Sequence, residues 1–181
     1  MRNAIFVVGA VAIGVATWTF GAGAAPSPAA TRVERGRYLV TIAACHDCHT
    51  PKIDAQMTPD PKRLLSGRPS TTNPPIQGTN EIRASLDLTA WAGPWGNSYA
   101  ANLTPDRETG IGSRYTEAAF IKTIRTGVKP EGEQLAPPMP WPVYRNMTDE
   151  DLKSIYAYLT TLPAVTNIVR AAPAVTPKAS R

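Results

Sequence analysis

Proline sets the first limit on this chain: it occurs 18 times in 181 residues, about twice the usual share of about 5%. Each proline removes a backbone donor and holds φ near one value, so long helices and wide sheets are excluded wherever prolines gather. Residues 51–105 are dense in proline, contain Asn73-Pro74-Pro75 and several glycines, and show no sustained hydrophobic period. They read as a long loop region with short helical pieces. Residues 130–142, which include Pro137-Pro138-Met139-Pro140-Trp141, read the same way. Loops of this length commonly wrap something.

Three stretches between the loops carry helical periodicity. Over residues 32–44, Val33, Gly36, Val40 and Ala43 recur at three- and four-residue intervals. Thr116 can cap a second helix that turns Phe120, Ile121 and Ile124 inward and stops at Gly127. Thr148, with Asp151 three positions on, opens a third in the manner of a capping box; Leu152, Ile155, Tyr156 and Leu159 then share one face, and Pro163 closes it. No alternating pattern is long enough for a strand. The expected fold class is all-α, short helices joined by long loops, with so thin a protein core that a bulky prosthetic group would fill the gap.

The N-terminus passes from Arg2 into an apolar run over residues 4–20 and then into Ala22-Gly23-Ala24, the layout of a secretory signal cut after Ala24. An uncleaved anchor is the alternative, since the run only reaches the lower end of the roughly 17–25 residues that span a bilayer. The expected division is a signal peptide over 1–24, a flexible lead-in over 25–31, one domain over 32–162 and a flexible tail over 163–181. Export places the domain in the periplasm. The charge balance of 19 basic against 14 acidic residues, a net +5 without any basic run, argues against nucleic-acid binding.

Both cysteines and both histidines of the chain fall in Cys45-His46-Asp47-Cys48-His49. Two thiols one helical turn apart can add to the two vinyl groups of haem, and the adjacent imidazole then faces the iron; Cys-x-x-Cys-His is the attachment pattern of haem c. A structural zinc ion needs four ligands, which two cysteines and two crowded histidines cannot arrange around one ion. A thioredoxin-like redox pair needs a βαβ setting that is missing here. A plain disulfide or a chance match is the remaining alternative. One covalent haem, through Cys45 and Cys48, is therefore the expected cofactor.

His49 is the expected proximal iron ligand, with His46 a solvent-facing bystander. A methionine thioether is the usual sixth ligand where electron transfer is the task. Met57 lies too close to His49 along the chain, and Met147 precedes the cap of the last helix, where its ordinary role is a hydrophobic staple. Met139, stiffened between Pro138 and Pro140, is the expected distal ligand. Trp91, Trp95, Tyr99, Trp141 and Tyr144 are either core packing or donors to the haem propionates, and Arg68 and Arg114 are equal candidates for the latter.

Six segments together resemble a known family: Arg35-Gly36-Arg37-Tyr38-Leu39-Val40, Cys45 to Pro51, Ala101-Asn102-Leu103-Thr104-Pro105-Asp106, Thr109-Gly110-Ile111-Gly112, Pro137-Pro138-Met139-Pro140-Trp141 and Thr148-Asp149-Glu150-Asp151-Leu152. They are similar to exported bacterial c-type cytochromes, in particular to the haem domains of cytochrome subunits of membrane-bound alcohol and sugar-acid dehydrogenases. The resemblance implies a cytochrome c fold whose first and last helices cross at Gly36, packed by the Ile155 and Tyr158 region. It also implies thioether bonds at Cys45 and Cys48, axial His49 and Met139, and Ile111 as a wall of the haem pocket. Those subunits repeat the domain, whereas this chain has one attachment motif.

The function so implied is single-electron transfer rather than catalysis, with a redox-protein donor and acceptor such as a membrane-bound dehydrogenase or oxidase. The alternatives are a haem peroxidase or a gas- or redox-sensing module, each of which needs a displaceable sixth ligand. The segment 68–97 looks longer than the corresponding family loop; it is either a docking surface or a shield for the haem edge.

Overall fold

The computed structural model describes residues 27–71 and 81–169. The expected signal peptide, the start of the lead-in and residues 170–181 of the tail lie outside them. The described residues form five helices and one small sheet.

Helix α1 (Pro28–Ile42) starts earlier than its periodicity predicts, because the Ser27 side chain accepts the Ala30 N–H and Pro28 occupies the first turn. Both are favoured at a helix start, so part of the expected lead-in is helix. Ala44 then adopts φ 55°, a left-handed turn that separates α1 from α2 (Cys45–His49). Helix α3 (Glu117–Thr126) is capped by Thr116 and stops at Gly127 with φ 72°, both as its sequence predicts. Helix α5 (Asp149–Leu159) is capped by Thr148, which accepts the Asp151 N–H.

The core is built where α1 packs along α5. Leu39 and Val40 of α1 meet Leu152, Ile155 and Leu159 of α5 in one buried cluster that also holds Phe120 and Ile124 of α3, Leu65 and Ile111. Gly36 makes the crossing close, with Ser154 and Tyr158 against it. Arg32–Glu150 and Arg35–Asp151 ion pairs line the outer rim of the same crossing, where exposed pairs contribute little.

The short helix α4 (Trp141–Tyr144) begins inside the segment 130–142 read as loop. The sheet departs from the all-α expectation. Strands β1 (Arg83–Ala84), β2 (Ala90–Gly93) and β3 (Gly96–Tyr99) form an antiparallel sheet in that order, with Gly93 paired to Gly96 across the Pro94-Trp95 turn. Strands of two to four residues are too short for a period of two to stand out from the surrounding glycine and proline. Helices therefore carry the core, and the sheet is an addition to one side of it. The segment after Pro163 also departs from the expected flexible tail: Asn167 is buried and fully hydrogen bonded.

Candidate haem site

A cavity of about 640 Å³ opens beside the core, within the roughly 300–1,000 Å³ of small-molecule and cofactor sites. Cys45, Cys48 and His49 of α2 line it, as do Ile111, Met139 and Met147, with Leu152, Ile155 and Leu159 forming its floor in the core. The expected cysteines, histidine, methionine and isoleucine are thus brought to one space by elements far apart in sequence. Met147, which sequence reasoning assigned to a staple, borders the same cavity, while Met57 is not among its lining residues.

His49 is buried, and its Nδ1 lies 2.8 Å from the Ala101 carbonyl oxygen. A carbonyl can only accept, so Nδ1 carries the proton and Nε2 keeps its lone pair. Burial lowers the His49 pKa, opposed in part by the Ala101 carbonyl, so the ring stays neutral. A neutral imidazole whose outer nitrogen donates to a carbonyl is the form that binds a metal, and that hydrogen bond both orients the ring and raises its basicity. Ala101 stands in one of the segments that carry the resemblance, but its role as acceptor is not marked there, because a backbone carbonyl has no side-chain signature.

The thiols of Cys45 and Cys48 are free of each other. Burial pushes the Cys45 thiol up to about 11 and also raises that of Cys48. Among the described residues, no cluster of three or more Cys, His, Asp or Glu side chains is arranged to hold a metal ion.

The helix carrying these groups is held by residues that sequence reasoning missed. Thr50, fully buried, accepts the Leu65 N–H at 2.9 Å, and its hydroxyl is hydrogen bonded to His46 Nδ1 at 2.9 Å. His46 is therefore half-buried and structural, a correction to its expected solvent-facing place. Lys52 donates to the carbonyls of His46, Asp47 and Thr50 at 3.1, 2.9 and 2.6 Å, capping the C-terminal end of α2 with a cation.

The aromatic and basic candidates divide. Trp91, Tyr99, Tyr144 and Arg114 line the cavity, whereas Trp95, Trp141 and Arg68 do not. Trp91 Nε1 donates to the Leu88 carbonyl, and Tyr144 Oη donates to the Ala43 carbonyl at 2.5 Å. Arg114 pairs with Glu131. Trp95 lies against Gly93, Trp141 lies against Gly127, and Arg68 stacks 4.7 Å over Tyr99.

No family model matches the chain. It is 36% identical over 139 residues to the fructose dehydrogenase cytochrome subunit of Gluconobacter japonicus, covering 75% of this chain and 23% of that protein. It is 32% identical over 149 residues to the cytochrome c subunit of the quinone alcohol dehydrogenase of Gluconobacter oxydans, covering 82% and 25%. It is 33% identical over 126 residues to the gluconate 2-dehydrogenase cytochrome c subunit of Pantoea cypripedii, covering 70% and 22%. The chain is a cytochrome c resembling these haem domains. It spans about a quarter of the length of the relatives it matches. The cavity wall fits haem c: an apolar floor, an adjacent pair of cysteines and a histidine whose Nδ1 is engaged by a backbone carbonyl.

Proposed function

We propose that this cytochrome is a periplasmic single-electron carrier, or the electron-transfer subunit of a dehydrogenase, with one haem c held by thioether bonds to Cys45 and Cys48 and by axial His49 and Met139. The observation that carries the reading is the buried His49 ring, its Nδ1 2.8 Å from the Ala101 carbonyl oxygen, at the wall that also holds both cysteines. Bound there, haem supplies a one-electron couple between ferrous and ferric iron.

The residues do the rest. Nδ1–H donation to Ala101 keeps the His49 ring directed. The buried aliphatic floor of Leu152, Ile155 and Leu159 excludes water, which favours the less charged oxidation state. Met139 offers a soft sulfur that binds ferrous iron well. His49 and Met139 would hold the iron between them and leave no place on it for a substrate, so the chain would transfer electrons without making or breaking bonds. The chain's division into a leader over 1–24 and a haem domain over 32–162, and its export, belong to the same reading; no helix among the described residues is long and apolar enough to cross a membrane. Relatives named as subunits of fructose, alcohol and gluconate dehydrogenases support a dehydrogenase as the electron donor.

Absorption spectra of both oxidation states, with and without carbon monoxide, test this. Low-spin spectra unchanged by carbon monoxide, from haem that stays on the chain in denaturant, are the expected result. Carbon monoxide binding to the native ferrous form would instead favour a sensor or peroxidase.

A further inference from the structure

Asn167 is 2% exposed, and its side chain is fully engaged. Nδ2 donates to the Ser66 and Arg68 carbonyls at 2.7 and 2.8 Å, and Oδ1 accepts the Ser70 N–H at 3.0 Å. Its own backbone N–H donates to Thr109 Oγ1 at 2.9 Å. Two carbonyls on either side of Gly67 are thus held by one amide group. Gly67 in turn donates its N–H to the His49 carbonyl at 2.8 Å. At φ 73°, Gly67 sits so close to the segment bearing the histidine's acceptor that a Cβ would fall 2.6 Å from the Ala101 oxygen.

The same stretch of chain grips the other side of Ala101. The Val165 carbonyl accepts from Asn102 Nδ2 at 2.8 Å, and the Val165 N–H donates to Thr104 Oγ1 at 3.2 Å. Residues 65–68 and 100–103 are also joined directly, by Arg68 N–H to the Ala100 carbonyl at 3.0 Å and Leu103 N–H to the Leu65 carbonyl at 2.8 Å. The segment 165–167 therefore clamps the two loops that meet at His49: one bonded to its backbone, one to its ring.

We propose that Asn167 is a positioning residue for the axial histidine. By holding the turn at Gly67, it keeps the His49 backbone and the Ala101 carbonyl in a fixed relation and so preserves the Nδ1–H bond that directs Nε2. This rests on the reading of His49 as an iron ligand. Removing the Asn167 amide strips two carbonyls and one N–H of their buried partner, a loss that local water must repair by loosening the turn.

The test is hydrogen exchange by NMR on the haem-loaded, ferrous full chain, comparing the native protein with Asn167→Ala. Loss of the side-chain bonds should speed exchange of the Gly67 N–H and the His49 Nδ1–H by about tenfold or more, with a smaller change at the core amides of Val40 and Leu152. Those core amides report global opening, so equal acceleration at all four positions, or none at the first two, overturns the proposal. Should the variant fail to fold, the native protein decides. The Asn167, Gly67 and His49 protons should exchange through one opening with one denaturant dependence, and an Asn167 amide that opens independently overturns the clamp. Absence of haem ring-current shifts on the His49 ring protons would overturn the ligand reading itself, and the Gly67 amide distinguishes that failure from failure of the clamp.

Discussion

Gly36 and Ser154 touch backbone to backbone: a Cβ on Gly36 would fall 1.9 Å from the Ser154 carbonyl oxygen and 2.7 Å from the Cβ of Tyr158. The Ser154 oxygen is helix backbone and the Tyr158 Cβ is fixed to it, so neither can rotate away. Gly36→Ala must push α1 from α5 and is expected to destabilise the protein by at least about 2 kcal/mol. The denaturant midpoint of the haem-loaded protein measures this, and a midpoint within error of the native one would show that the crossing can open without loss.

Met139 and Met147 both border the cavity, so spectroscopy separates them. Met139→Ala should abolish the sulfur-to-iron charge-transfer band of the ferric protein and admit carbon monoxide to the ferrous one. Met147→Leu conserves volume and should keep the band, with a stability cost below about 1.5 kcal/mol. The opposite pattern would exchange their roles.

Tyr144 joins the α4 region to the end of α1 through its bond to the Ala43 carbonyl, just before the left-handed turn at Ala44. Burial, the largest cause, pushes its pKa up to about 12 while the thiols are free, from an ordinary value of about 10; haem attachment removes the Cys45 and Cys48 charges and leaves burial to raise it. A raised pKa in the folded state means that the contribution is intact below about pH 10 and is lost as pH climbs toward about 12. Tyr144→Phe should lower stability at neutral pH by about 1 kcal/mol and flatten the alkaline decline over that interval. Parallel stability-against-pH curves for the two proteins would remove Tyr144 from the alkaline transition.

Trp91, Asn97, Ser98 and Tyr99 bring the β2–β3 hairpin to the cavity wall, which favours shielding over docking for the inner part of segment 68–97. Trp91→Ala should expose the haem edge beside Cys48, lower the reduction potential and cost about 2 kcal/mol, less than the loss of a fully buried tryptophan. Voltammetry of the isolated protein, with no partner present, reads the shift. An unchanged potential with slower reduction by a dehydrogenase would instead place Trp91 in a docking surface.

What the sequence by itself determined lies in contiguous residues. The Cys45-x-x-Cys48-His49 spacing, the caps at Thr116 and Thr148, the stop at Gly127 and the apolar face of α5 are each set by neighbours within one or two helical turns, so local rules suffice to find them. The tertiary structure alone decided what depends on atoms brought from a distance. The acceptor for His49 is the backbone oxygen of Ala101, the turn at Gly67 is held by Asn167 from beyond the last helix, and His46 is half-buried because Thr50 reaches it from within the core. Backbone carbonyls are alike in every residue, and a lone asparagine in a segment without periodicity carries no local signal. Their roles arise only when packing removes water and each buried donor must find an acceptor.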